Sequence, residues 1–94
     1  MQTIDLSFLK QTKLAMPKYF FHIRHISQDL DQDGVDLPDI HAAWQAATMS
    51  AGDHLKELDG ALKPGQDWCM CVTDDSKRTL FEIHVKPKAN VSMD

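Results

Sequence analysis

The sequence predicts an α+β domain of order β-β-α-β-β: one antiparallel four-stranded sheet with a single long helix packed on one face. Three observations carry that reading. From Pro38 to Asp59 apolar residues recur at helical spacing; the stretches around Phe21, Met70 and Ile83 alternate apolar and polar as strands do; and clusters of Asp, Gly, Pro and Ser separate these segments. A chain of 94 residues suits a single domain near the lower size limit for burying a core unaided.

Residues 1–15 are read as an N-terminal extension, with the domain proper beginning at Met16 and spanning 16–86. Ile4, Leu6, Phe8 and Leu9 allow a second reading, a segment packed on the domain. The first strand covers Lys18 to Ile26. Tyr19, Phe21 and Ile23 point to one face and Phe20, His22 and Arg24 to the other. An acidic turn, Ser27 to Gly34, leads to a short second strand at Val35–Leu37.

The helix follows, with Asp36 or Leu37 as its cap and Pro38 in its first turn, where a missing N–H costs nothing. Its apolar stripe is Ile40, Ala43, Trp44, Ala47, Ala51, Leu55 and Leu58, with Trp44 as the expected core anchor; His41 and His54 are expected in solvent. Gly60 is the stop.

Asp67–Thr73 and Thr79–Lys86 form the closing hairpin, turned by Asp74-Asp75-Ser76-Lys77. Trp68, Met70, Val72, Phe81, Ile83 and Val85 face inward, and Cys69, Cys71, Glu82 and His84 outward. Residues 87–94 read as a flexible tail. The outer sheet face then carries Phe20, Cys69, Cys71 and Leu80, too apolar to stay wet, so either the N-terminal segment or a second copy of the chain covers it.

Composition narrows the function classes. Ten basic against 14 acidic residues give a net charge of −4, which argues against a duplex-binding surface. No apolar run approaches the roughly 20 residues that span a bilayer, so no membrane partner is expected. Two cysteines one residue apart along a strand do not suit a mutual disulfide, and a reducing cytoplasm is the expected location.

Two clusters could bind a metal. Asp29, Asp31 and Asp33 followed by Gly34 spell D-x-D-x-D-G, the opening of a calcium loop. The rest of the loop fails, with Ile40 at the twelfth position rather than a bidentate Glu and Asp36 at the eighth rather than an apolar residue, and an acidic hairpin turn is the simpler reading. Cys69, Cys71, His22 and His84 offer thiolate and imidazole ligands of the kind that suit zinc or copper, if strand order brings them together. The bland alternative is half-buried sheet residues. No nucleophile elbow, glycine-rich phosphate loop or paired metal motif is present, so no enzyme and no cofactor is expected.

Three stretches, MPKYFFHIRH from Met16, then DGVDLPDIHAAWQAA, then DWCMCVTDDSKRTLFEIHV, together resemble a family of short bacterial proteins known as a domain of unknown function. The family pattern is an M-P-[RK]-[YF]-[FY]-F-H strand, a D-x-x-G-x-[ED]-L-P-D helix entry, an alanine-rich helix and a closing hairpin. His22 and Leu37-Pro38-Asp39 match it; Cys69 and Cys71 lie outside the pattern. The resemblance implies a soluble bacterial domain with no activity to carry over.

The expected function is a non-enzymatic protein-interaction or regulatory module acting as a homodimer, through Phe20, Cys69, Cys71 and Leu80 or through the sheet edge. The alternatives are a metal- or small-ligand-binding domain using Cys69, Cys71, His22 and His84, and an antitoxin-like nucleic-acid regulator.

Overall fold

The computed structural model describes residues 16–93, so the expectations for residues 1–15 and for Asp94 lie outside the described residues. The elements are β1 (Lys18–Arg24), β2 (Gln28–Asp29), β3 (Val35–Asp36), α1 (Ile40–Leu58), β4 (Trp68–Asp74) and β5 (Thr79–Val85). All strand pairs are antiparallel. β4 lies between β1 and β5, and β2 and β3 both pair with the far side of β1. Among the described residues the sheet therefore has five strands rather than four, because Gln28–Asp29, expected in the turn, pairs with Ile23 and Arg24.

β2 and β3 are two pieces of one broken return strand. Ile23 pairs with Asp29 and Tyr19 with Val35. Three β1 residues lie between those pairs, against five on the returning side, so the chain must loop out between Asp29 and Val35. The helix starts at least two residues later than expected: the N-cap is Asp39 rather than Asp36 or Leu37, its Oδ1 accepting the Ala42 N–H at 2.9 Å. At the other end Asp59 adopts a left-handed conformation (φ 49°) and Gly60 follows at φ 87°. The glycine supplies that backbone at little cost, as the expected stop.

The core lies between α1 and the inner sheet face. Ala43, Ala47 and Ala51 are buried with Tyr19, Trp68, Met70 and Val72, and Phe21, Ile23, Leu55, Leu58, Phe81, Ile83 and Val85 pack around them. A ridge of small residues lets the helix backbone approach β4 closely, which accounts for the complete burial of Trp68, Met70 and Val72 on the central strand. Burying side chains of that size contributes roughly 1.5–3 kcal/mol each.

The anchor is consequently Trp68, not Trp44. Trp44 is 45% exposed and leans on Phe81, the ring centroids 5.1 Å apart. Ile40, one turn before it on the same stripe, is exposed too. His54 is not solvent-facing: it is half-buried with its ring 6.0 Å from that of Trp68. Beyond Val85 the described residues carry no helix or strand, although the Pro87 carbonyl accepts the Gly65 N–H at 3.0 Å.

Candidate functional site

The outer sheet face is set by register. Phe20, Thr73 and Thr79 form one cross-strand row; His22, Cys71 and Glu82 the next; Arg24, Cys69 and His84 the third. Antiparallel pairing on both sides of β4 brings all four expected metal ligands into two adjacent rows. Their hydrogen bonds leave Cys69 and His84 in contact but turn His22 and Cys71 to other partners.

His22 is held from both sides. Its Nδ1 accepts the Asp31 backbone N–H at 3.1 Å, so the neutral ring carries its proton on Nε2, which lies 3.0 Å from Thr73 Oγ1. His84 directs its Nε2 to Glu82 Oε1 at 2.8 Å, and Cys69 Sγ lies 3.9 Å from that same nitrogen. Thiol and carboxylate thus compete for one ring nitrogen. A nucleophile–base–orienter relay needs the two partners on opposite nitrogens. Cys71 Sγ turns to Thr79 Oγ1 at 3.7 Å. Among the described residues no group of three or more His, Cys, Asp or Glu side chains is arranged to hold a metal ion.

The acidic loop is organised by one of its aspartates. Asp31 Oδ2 accepts the Phe21 N–H, which the loop-out leaves without a strand partner, and Oδ1 accepts the N–H groups of Asp33 and Gly34, all at 3.1 Å. Partial burial works to raise the Asp31 carboxyl, but the three backbone donors and the neighbouring His22 outweigh it and hold the group below the ordinary aspartate value. Both oxygens are turned to the loop's own backbone. Asp29 sits in β2 and Asp33 is exposed.

Asp74 does the same at the other hairpin. Its Oδ1 accepts the N–H groups of Ser76 and Arg78, its Oδ2 meets Arg78 Nε at 3.2 Å, and the Arg78 backbone donor is the main cause holding its carboxyl low. Lys77 completes that turn at φ 66°, a position that glycine usually takes.

The expected apolar interface does not form one patch. Cys69 is only 8% exposed, and the Phe20 ring covers Gly34, where a Cβ would come within 2.8 Å of Cε2. Leu80 leaves the outer face: a β-bulge at Val72/Thr73 breaks the alternation, and the side chain packs against the core. What remains outside is an open cleft of about 470 Å³, lined by Phe20, His22, Leu30, Thr73 and Lys77 with the carboxylates of Asp31, Asp74 and Asp75.

Two features were not located by pattern reading, which named a sheet edge without the strand that forms it. Among the described residues β5 pairs only with β4, leaving a seven-residue edge open on its far side. Beside it Ile40, His41, Trp44 and Phe81 line an apolar recess of about 380 Å³. The sequence signal for the recess was present: Ile40 and Trp44 are the two bulky groups at the start of an otherwise alanine-rich stripe.

Comparison with known families gives a match over most of the chain. A family model described as a domain of unknown function (DUF6894) covers residues 18–86, from the first residue of β1 to just past β5. No curated protein and no solved structure matches. No helix among the described residues is long and apolar enough to cross a membrane.

Proposed function

Because the chain belongs to the DUF6894 family of domains of unknown function, we propose its role from its own geometry: a non-enzymatic protein-interaction module that acts as a homodimer. The single observation that carries the reading is the open edge of β5 beside an apolar recess. A regular strand edge is a row of unpaired donors and acceptors ready to pair with another chain. Exposed Trp44 and Ile40 add the kind of apolar anchor that interfaces favour.

The polar side chains support the non-enzymatic part. His22, Asp31 and Asp74 each direct both of their polar atoms to partners within the fold, and His84 shares one nitrogen between Glu82 and Cys69. These groups hold turns and strands in place. Free Cys69 and Cys71 suit a reducing compartment, in keeping with a cytoplasmic protein. Sedimentation over a wide concentration range tests the reading. A dimer whose population grows with concentration supports it, and a monomer at the highest concentration overturns it.

A further inference from the structure

Resting on the homodimer reading above, we infer that the two copies join edge to edge through β5, antiparallel, about a two-fold axis at Ile83. The β-bulge at Val72/Thr73 disturbs the start of β5, and Pro87, without a backbone donor, ends regular pairing soon after Val85. The undisturbed run is Phe81 to Val85, and its midpoint is Ile83.

Face and charge select the same centre. A two-fold axis makes the contact self-complementary, and directly opposed residues of an antiparallel pair share a face. Only registers that match inner residues with inner ones keep the apolar side continuous. Centring on Glu82 sets that carboxylate against its own copy, and centring on His84 sets two imidazoles together. Centring on Ile83 sets Glu82 opposite His84 of the second copy, twice, and Phe81 opposite Val85. Glu82 and His84 are exposed, so both are free to exchange their contact within one strand for one across the axis. Val85 of the second copy then arrives beside Phe81, where Trp44 and Ile40 line the recess. Two sheets become one continuous sheet, with both helices on the same side.

Charge exchange tests the contact. One variant, Glu82→Lys with His84→Lys, opposes Lys to Lys across the axis; the other, His84→Glu, opposes Glu to Glu. Each alone should dimerise roughly tenfold more weakly than the wild type, from two cross-strand pairs turned from favourable to unfavourable. Mixed in equal amounts they should form a heterodimer near wild-type strength, since every opposed pair then joins unlike charges. The like-charge contacts within each strand persist in the mixture, so recovery reports only the contact between copies. As a check on unaltered protein, β5 amides should exchange more slowly in concentrated than in dilute solution.

A wild type that stays monomeric overturns the homodimer and this contact together. A wild-type dimer whose variants associate undiminished, show no preference for the mixture, and whose β5 amides ignore concentration leaves the homodimer standing and overturns the edge-to-edge contact.

Discussion

Along one edge of the sheet the return strand is cut into two-residue pieces, β2 and β3, with the Asp31 carboxylate filling the gap between them. Along the other edge β5 runs for seven residues with no partner on its far side among the described residues. Short edge strands, irregular loops and charges are common ways of keeping a sheet from pairing with its neighbours. The first edge has all three: its pieces are short, its loop consumes backbone donors internally, and it carries Asp29, Asp31, Asp33 and Asp36. The second has one carboxylate, Glu82, and a bulge at one end. Among the described residues one edge is thus closed and the other left regular, an asymmetry that suits the proposed closed dimer better than an open filament.

The contrast is broken most directly at Asp31. Asp31→Ala removes the acceptor for three backbone donors, of which those of Phe21 and Gly34 are part-buried. A loss of about 2–3 kcal/mol in urea unfolding is expected, with faster exchange at the Phe21 amide. The acid limb checks the cause. Because the folded Asp31 carboxyl titrates below its ordinary value of 3.8, the folded state binds fewer protons, and the stability it adds is present above that value. It is lost as pH falls through the lower folded value. The alanine variant should therefore lose less stability than the wild type on acidification below about pH 4. Parallel acid limbs would show that Asp31 does not hold this edge through its charge.

How far this contrast was readable from the chain differs between its parts. Alternation placed Tyr19, Phe21, Ile23, Met70, Ile83 and their neighbours on the correct face, because side-chain parity is local. Depth was not local. Trp68 rather than Trp44 became the anchor because β4 is the central strand, and strand order depends on pairings distant in sequence. Leu80 was misplaced for a related reason: parity holds only until a bulge, and the bulge at Val72/Thr73 moves the side chain from the outer face to the core. The D-x-D-x-D-G run was visible as a turn, but the special position of Asp31 follows from two extra residues in the β2–β3 register. The open edge of β5 could not be seen until the order was known.

Gly34 sharpens the same comparison with a smaller effect. It closes the Asp31 loop at φ 74°, and a Cβ there would stand 2.8 Å from both Phe20 Cε2 and Lys18 Cγ. Gly60 has a similar φ of 87° but open space around it. Left-handed backbone alone costs a non-glycine residue about 1–2 kcal/mol. Gly34→Ala should therefore lower stability by more than Gly60→Ala, the excess reporting the displaced Phe20 ring. Equal losses in urea titrations would mean that the ring yields freely and that the closed edge is held by Asp31 alone.

The smallest effect is expected at the open edge. Glu82 and His84 lie 2.8 Å apart, yet their side chains are 53% and 46% exposed, so water competes for both. Exposed ion pairs contribute little, typically within about 1 kcal/mol. His84→Ala should therefore shift the dilute-solution urea midpoint only slightly while weakening association measurably. Cys69 makes the outcome informative, because its thiol lies 3.9 Å from the same ring nitrogen and is itself buried. If removing the imidazole destabilises the dilute protein as much as Asp31→Ala does, then His84 serves the fold as a cover for Cys69. Edge and face would then be one structural unit, and the division between a closed edge that stabilises and an open edge that associates would fail at that residue.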